Sequence, residues 1–315
     1  MDKKPMVVLT GPTAVGKTRL SIGLAKAVEG EIISADSMQV YRHMDIGSAK
    51  IKQEEMQGIP HHLIDILEPD EPFNVVVFKE RCEECLKGIY ERGHIPILTG
   101  GTGFYIQAIL RDIDFTENEE IPEYRRELEE LADRKGAEYL HELLAKVDSE
   151  AAEAIHANNI KRTIRALEYY HLTGQRISEH NEHERQKQSA YRSCYFVLND
   201  RRELLYERID KRVDEMIAEG LVAEVKALKS LGYHRDMVSM QGLGYKEILE
   251  YLEGEIPLDE AIYKIKRDTR HFAKRQLTWF RREQAVIWVD KGEFDYEDEK
   301  ILRFMMDRMK ENGVI

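Results

Sequence analysis

Apolar positions near the start of the chain come in short unbroken runs, and the stretches between them carry helical periodicity. Met6-Val-Val-Leu-Thr10 precedes a glycine-rich turn, after which Leu20, Leu24 and Ala27 recur at helical spacing within Thr18 to Val28. Glu31-Ile-Ile-Ser-Ala-Asp36 reads as a second strand and His61 to Ile66 as a third. A fourth, His94-Ile-Pro-Ile-Leu-Thr99, ends in Gly-Gly-Thr-Gly before a helical Phe104 to Leu110. Strands alternating with helices predict an α/β fold, its parallel sheet covered on both faces and its ligands bound beyond the carboxyl ends of the strands.

From about Asp114 to Arg192 the strand signals vanish. Leu128, Leu131, Leu140, Leu143 and Leu144 recur at helical spacing behind a capping-like Thr116-Glu-Asn-Glu, and Arg162 and Arg165 share a helix face. The polar, aperiodic His180 to Ser189 reads as a loop. Strand pattern returns at Tyr195-Phe-Val-Leu198, followed by helix over Arg201 to Leu231, helix over Tyr245 to Leu252, a basic helix, and a last strand Ala285-Val-Ile-Trp-Val289. The expected organisation is a core of residues 1–113 and 193–315, interrupted by an all-helical insertion over 114–192.

Composition refines this picture. No apolar run approaches the roughly 18 residues of a membrane-spanning helix, and the first residues lack a signal-peptide pattern, so a cytoplasmic protein with no membrane partner is expected. Cys82, Cys85 and Cys194 are too few for a disulfide framework, and Cys82 and Cys85 read as helix residues rather than metal ligands. The net charge of −12 argues against a nucleic-acid partner until local sums are taken. Lys264 to Arg282 contain eight basic residues and one acidic, whereas Phe115 to Ile155 contain 13 acidic and 5 basic. The plain alternative for the basic run is a solvated helix face.

Gly11-Pro-Thr-Ala-Val-Gly-Lys-Thr18 fits G-x-x-x-x-G-K-[ST] without a mismatch, between a predicted strand and a predicted helix. Its glycines let backbone N–H groups turn inward on an anion, Lys17 adds a point charge, and the Thr18 hydroxyl can hold Mg²⁺. A ligand carrying a diphosphate or triphosphate is expected, on a P-loop NTPase-like sheet. An aspartate closing a hydrophobic strand would complete a nucleotide-hydrolysing site, but Asp36 and Asp65 are poor candidates for that role. Asp36 ends the strand expected beside the phosphate loop, where it can accept a proton from a nucleophile or merely cap the next turn. Thr102, in Gly100-Gly-Thr-Gly103, sits on the same rim. Arg208 and Arg212 project from one helix face, suited to a diphosphate or to salt bridges with Glu207 or Asp210.

The phosphate loop, Ser34-Ala-Asp-Ser-Met-Gln-Val-Tyr41, Met44-Asp-Ile-Gly47, Ser48-Ala-Lys50 and Gly100-Gly-Thr-Gly-Phe-Tyr105 together resemble the bacterial tRNA dimethylallyltransferases. So do Lys161-Arg-Thr-Ile-Arg-Ala-Leu-Glu168, Arg208 to Arg212, Glu219-Gly-Leu-Val-Ala-Glu224, Gly242-Leu-Gly-Tyr245 and Lys274-Arg-Gln-Leu-Thr-Trp279. The resemblance runs in order across nearly the whole chain. It implies transfer of a dimethylallyl group from dimethylallyl diphosphate to N6 of the adenosine immediately 3′ of the anticodon, with Mg²⁺ assisting. The phosphate loop, Gly11, Pro12, Thr13, Ala14, Val15, Gly16, Lys17 and Thr18, would then hold the prenyl diphosphate instead of a nucleotide such as ATP.

By the same resemblance Asp36 is the base or acceptor for the adenine amine, Thr13 and Arg212 meet the diphosphate, and Lys17 and Thr18 meet its phosphates and metal. The tRNA anticodon stem-loop would touch Asp36, Ser37, Met38, Gln39, Thr102, Lys161, Arg162, Thr163, Ile164, Arg165, Gln241, Gly242, Leu243, Gly244, Tyr245 and Lys246, with Arg125 a further candidate. The chain lacks the Cys/His zinc module that eukaryotic relatives append, so a bacterial form is expected, as a monomer without an obligate protein partner. The acidic half of the insertion is expected on a face away from RNA. Three other readings share the loop: a small-molecule kinase, an isopentenyltransferase acting on free adenine nucleotide, and an RNA-binding protein whose site has decayed. The long insertion and the basic helix argue against the first two, and the intact Lys17, Thr18, Asp36 and Arg212 against the third.

Overall fold

A computed structural model describes residues 3–115 and 122–315; the capping-like Thr116 to Glu119 lies outside the described residues. The chain divides into two compact units, Met1–Leu110 with Ser189–Ile315, and Arg111–Gln188. In the first, β1 (Pro5–Thr10), α1 (Lys17–Val28), β2 (Gly30–Ala35), β3 (His61–His62), α2 (Val75–Glu91), β4 (Ile95–Gly100) and α3 (Gly103–Leu110) follow in order. The second consists of α4 (Pro122–Lys135), α5 (Ala137–Val147), α6 (Ser149–Ala154), α7 (Ile160–Thr173) and α8 (Ile177–Gln186). The first unit then resumes with β5 (Arg192–Asn199), α9 (Arg202–Glu219), α10 (Leu221–Ser230), α11 (Tyr245–Leu252), α12 (Leu258–Phe280), β6 (Val286–Asp290) and α13 (Asp298–Glu311).

The six strands form one parallel sheet in the order β3-β2-β4-β1-β5-β6, the α/β architecture expected from the strand and helix alternation. Alternate side chains of β1, β2, β4 and β5 enter different cores, which is why those strands read as largely apolar runs. Met6 and Val8 pack with α2 and α3 through Phe78, Leu86 and Ile106, whereas Val7 and Leu9 pack with α1 and α13 through Leu20, Leu24 and Met305. Cys82 and Cys85 lie on α2, as their helical setting predicted. The helical unit closes over Leu128, Leu140, Leu144, Ile164 and Leu167, with Leu131 and Leu143 at its margin.

Four readings need correction. Strand β2 does not adjoin β1: β4 lies between them, paired to both. The third strand stops at His62, because Leu63 (φ 61°) and Asp65 (φ 55°) turn the chain through left-handed conformations that a strand cannot hold. Helix over 201–231 breaks at Gly220 (φ 106°), giving α9 and α10. The polar stretch from His180 is a loop only at Lys187 to Ser189; as far as Gln186 it is the body of α8, whose only buried residue is Glu184, paired to Lys187 at 2.8 Å. A helix lying on its unit by so narrow an edge carries no apolar period to read.

At the opposite end of the sheet from the strand carboxyl ends, Glu31 of β2 is buried and fully engaged. Its carboxylate accepts from Arg92 Nε and Nη2 at 2.7 and 2.8 Å and meets His62 Nε2 at 2.6 Å and His94 Nδ1 at 2.7 Å. These bonds, the Arg92 pair foremost, hold its pKa down at about 2 against an ordinary 4.5. A carboxyl whose folded pKa lies below its unfolded value stabilises the fold fully above the unfolded value. That contribution is therefore present above pH 4.5 and is lost as pH falls towards 2. Glu31→Gln is expected to cost about 1.5–3 kcal/mol at neutral pH. Urea unfolding of both proteins from neutral pH down to the acid limb should show the gap closing as pH falls.

Candidate functional site

The carboxyl ends of β1, β2 and β4 open into one cavity of about 850 Å³ within the first unit. The loop leaving β1 is shaped by its backbone. Gly11 (φ 145°) and Gly16 (φ 96°) hold conformations that side chains disfavour, and a Cβ on Gly11 would come within 2.5 Å of the Leu198 carbonyl. Ala14 is itself left-handed (φ 61°), a local strain of the sort stored at ligand-binding loops. Gly16 caps α1 without a side-chain acceptor, so no cap side chain covers the first N–H groups of the helix beside the cavity.

Lys17 folds back over this loop, donating to the carbonyls of Gly11 at 3.0 Å and Pro12 at 2.8 Å. Burial, seconded by the nearby Arg212 charge and opposed by Asp36, pushes its pKa from 10.5 down to about 8. An anion in the loop reverses that shift by favouring the ammonium form. Affinity for inorganic diphosphate should therefore weaken as pH rises above about 8, approaching one decade per pH unit, with proton uptake on binding. Calorimetry in buffers of different ionisation enthalpy measures both, and a Kd indifferent to pH would exclude Lys17 from the anion.

Arg212, from α9, faces the same cavity; burial pushes its pKa down and Asp36 opposes the push. It makes no ion pair among the described residues. Arg208, one turn earlier, also lines the cavity but is paired with buried Asp200 at 2.6 Å. The salt-bridge alternative for this helix is therefore met in part, with a different partner: Asp210 is taken by Arg270.

Asp36 lies just beyond β2. Its Oδ1 accepts from the N–H groups of Met38 at 2.8 Å and Gln39 at 3.4 Å, leaving Oδ2 without a hydrogen bond among the described residues. The turn-capping alternative is thus real, and it occupies one oxygen only. Because β4 intervenes, the distance from the phosphate loop to Asp36 is spanned over the Gly100-Gly101 rim, where Thr102 N–H donates to the Ala35 carbonyl at 3.2 Å. A side chain on Gly100 would collide with the Ala35 backbone.

Thr13, Ala14, Gly16, Lys17, Thr18, Asp36, Ser37, Met38, Gln39, Thr102, Arg212, Gln241, Gly242, Leu243, Gly244 and Lys246 all line the cavity. Gly11, Pro12 and Val15 support the loop from behind, Val15 as a core residue. Tyr245 does not reach the cavity: it is buried, and its hydroxyl donates to Glu224 at 2.8 Å. Gln39 is committed to Ser34 Oγ at 3.1 Å and to the Ser48 and Ala49 carbonyls at 3.4 Å. In the helical unit the side chains of Thr163 and Ile164 point into the core, while Lys161, Arg162 and Arg165 are exposed. Arg125 makes a two-pronged bond to buried Glu168 at 2.7 and 2.8 Å, a structural role sufficient to account for it.

The basic run lies on α12 except for Arg281 and Arg282, which follow its last residue Phe280, and is partly neutralised: Lys264 pairs with Glu250, Lys266 with Asp214, Arg267 with Asp268, and Arg270 with Asp210. Its unspent charge lies further along, at Lys274 and at Arg275, which rests on the Phe272 ring at 5.8 Å and lines the cavity. No cluster of three or more His, Cys, Asp or Glu side chains able to hold a metal occurs among the described residues. The Thr18 hydroxyl on the cavity wall suits a Mg²⁺ ion that takes most of its oxygens from phosphate and water.

Sequence reasoning missed three supports. Glu224 accepts from the N–H groups of Asp45, Ile46 and Gly47 at 2.8 to 3.1 Å, fixing the loop that carries Gly47 to Ala49 along the cavity wall. Buried Lys291 donates to the Val15 carbonyl at 3.3 Å. Gln276 of α12 reaches both Thr13 and Gly101. Glu224 and Gln276 stand in the motifs that carried the resemblance; Lys291 had no local signal.

A family model described as IPP transferase matches residues 39–283, and one described as Isopentenyl transferase matches residues 5–68. The tRNA dimethylallyltransferase of Lachnoclostridium phytofermentans is 62% identical over 312 residues, 99% of each chain. That of Carboxydothermus hydrogenoformans is 52% identical over 299 residues, 94% of this chain and 96% of the relative. Among solved structures, the tRNA isopentenylpyrophosphate transferase of Bacillus halodurans is similar with TM-score 0.74 at 45% identity, covering 99% of this chain and 98% of that one. A eukaryotic dimethylallyltransferase acting on tRNA is similar with TM-score 0.79 at 30% identity, covering 91% of this chain and 74% of that one.

Proposed function

The chain belongs to the IPP transferase family, and from that premise we propose that it transfers a dimethylallyl group from dimethylallyl diphosphate to N6 of the adenosine immediately 3′ of the anticodon in tRNA. The observation that carries the reading is the meeting in one cavity of a phosphate loop, an Arg212 that is unpaired among the described residues and an Asp36 carboxylate with one oxygen uncommitted among them. Thr13, Lys17, Arg212 and the loop N–H groups hold the diphosphate. Asp36, Thr102 and the 241–246 rim receive the adenosine, and exposed Lys161, Arg162 and Arg165 of the helical insertion contact the tRNA backbone.

An adenine amine is a weak nucleophile because its lone pair is shared with the ring, so most catalysis must come from the leaving group and from positioning. The N6 lone pair forms a bond to C1 of the donor while the C1–O bond breaks and diphosphate departs with that electron pair. Arg212, Lys17 and the loop amides stabilise the charge developing on diphosphate, and Asp36 takes the proton released by the amine. A bound Mg²⁺, held by Thr18 Oγ and phosphate oxygens, would supply further positive charge to the leaving group. The target base must leave the anticodon stack, at a cost of about a few kcal/mol, offset by phosphate contacts and by new stacking.

The test is incubation with labelled dimethylallyl diphosphate, Mg²⁺, and either unmodified tRNA or AMP, with ATP consumption followed in parallel. Label is expected in tRNA alone. Label in AMP would make the enzyme a free-nucleotide prenyltransferase, and ATP consumption would make it a kinase.

A further inference from the structure

One buried side chain ties the donor side of the cavity to the acceptor side. Gln276 is 6% exposed, and its amide bridges two loops far apart in sequence. Oε1 accepts from the N–H of Thr13 at 2.9 Å, and Nε2 donates to the carbonyl of Gly101 at 3.0 Å. Only one orientation of the amide satisfies a donor on one loop and an acceptor on the other. A Cβ on Gly101 would come within 2.1 Å of Nε2 and push the amide off this bridging position. Thr13 belongs to the phosphate loop, whereas Gly101 precedes Thr102, whose N–H is bonded to the residue before Asp36. The two loops leave β1 and β4, adjacent strands whose ladder ends at Thr10 and Gly100, so the Gln276 bridge continues the pairing where the sheet stops.

We propose that Gln276 is a positioning residue that fixes the spacing between the diphosphate-holding loop and the rim that receives the adenosine. The proposal rests on the prenyl-transfer reading above. Gln276 lines the cavity, but both polar atoms of its amide are spent on the two loops, so its effect falls on the step that needs both substrates at once: each loop still binds its own ligand when the bridge is cut, but the reacting atoms no longer meet in line. A misplacement of about 1 Å is enough to cost on the order of 100-fold in rate.

The experiment compares wild type with Gln276→Met, similar in length but unable to donate or accept strongly. Single-turnover transfer to an anticodon stem-loop is read beside the Kd for Mg²⁺-diphosphate, the Kd for the stem-loop, and the thermal midpoint. Turnover is expected to fall roughly 10- to 100-fold while each Kd stays within about threefold. Unchanged turnover, or a turnover loss matched by an equal loss in one Kd, would overturn the proposal. Gln276→Glu gives an independent readout should the Met variant fold poorly. Its ionised carboxylate still accepts from Thr13 but faces the Gly101 carbonyl; once protonated, it donates there as the amide did. The ratio of this variant's turnover to wild type is expected to rise as pH is lowered from about 9 to about 6, and a flat ratio would count against the bridge. Wild type failing to modify the stem-loop would instead overturn the prenyl-transfer reading itself.

Discussion

Asp36→Asn lowers turnover about 10²–10⁴-fold, the range that a positioned general base contributes, and leaves tRNA affinity nearly unchanged. The amide keeps an oxygen for the Met38 and Gln39 N–H groups, which Asp36 Oδ1 now accepts at 2.8 and 3.4 Å, so the turn survives. What is lost is the uncommitted oxygen as a proton acceptor for the amine. Asp36→Ala removes both functions and should destabilise the turn as well. Rapid-quench transfer measured beside stem-loop binding separates the outcomes; equal losses in rate and affinity for the Asn variant would make Asp36 a binding residue only.

The second large effect is expected at Arg212. Among the described residues this guanidinium has no carboxylate partner bonded to it, unlike Arg208, whose charge is paired with Asp200 at 2.6 Å. A cation kept from pairing within a cavity is held ready for an anion. Arg212→Ala should lower turnover about 10²–10³-fold, as removal of one fixed donor to a developing oxyanion does. Arg212→Lys should restore little, because a point charge on a flexible stem does not reproduce the planar fork. Arg208→Ala should additionally lower stability, since among the described residues it leaves buried Asp200 with only the 3.2 Å bond from the Tyr296 hydroxyl and its contact to the Arg201 N–H. Steady-state kinetics with the donor varied, read against thermal midpoints, distinguishes the two arginines. An Arg212→Ala enzyme as fast as wild type would remove it from the leaving group.

What sequence alone revealed, and what it hid, follows from the range of the interactions. The phosphate loop, Asp36 and the Gly100-Gly-Thr-Gly103 turn were legible because strand, turn and helix are consecutive and each motif is set by local backbone need, such as the positive φ of Gly16. The fold class followed from runs that are apolar because both faces of the sheet are covered. The strand order was not legible: nothing local says that β4 inserts between β1 and β2. Equally hidden were side chains whose partners lie 263 residues away, as Gln276 and Thr13 do, or 177 residues away, as Glu224 and Gly47 do.

The resemblance assigned Lys161 to Arg165 to tRNA as a block, whereas helical geometry turns Thr163 and Ile164 inward and leaves only their neighbours exposed. Tyr245 shows the same division: a motif residue can be needed for packing the wall of a site without its side chain reaching the interior. The +7 charge of 264–282 overstated its free cations, because half of the basic residues there are paired with carboxylates on other elements or on the same helix.

The central claim is that the amino-terminal loop grips the pyrophosphate of a prenyl donor while Asp36 meets an extruded adenine. A co-crystal with a non-reactive thio-analogue of dimethylallyl diphosphate and an anticodon stem-loop tests it most directly. Both phosphates are expected on the Gly11–Thr18 loop, with adenine N6 about 2.6–3.2 Å from an Asp36 carboxylate oxygen and C1 of the donor facing it. Donor and base seated in separate places, or the loop rejecting the donor while accepting ATP, would contradict the account.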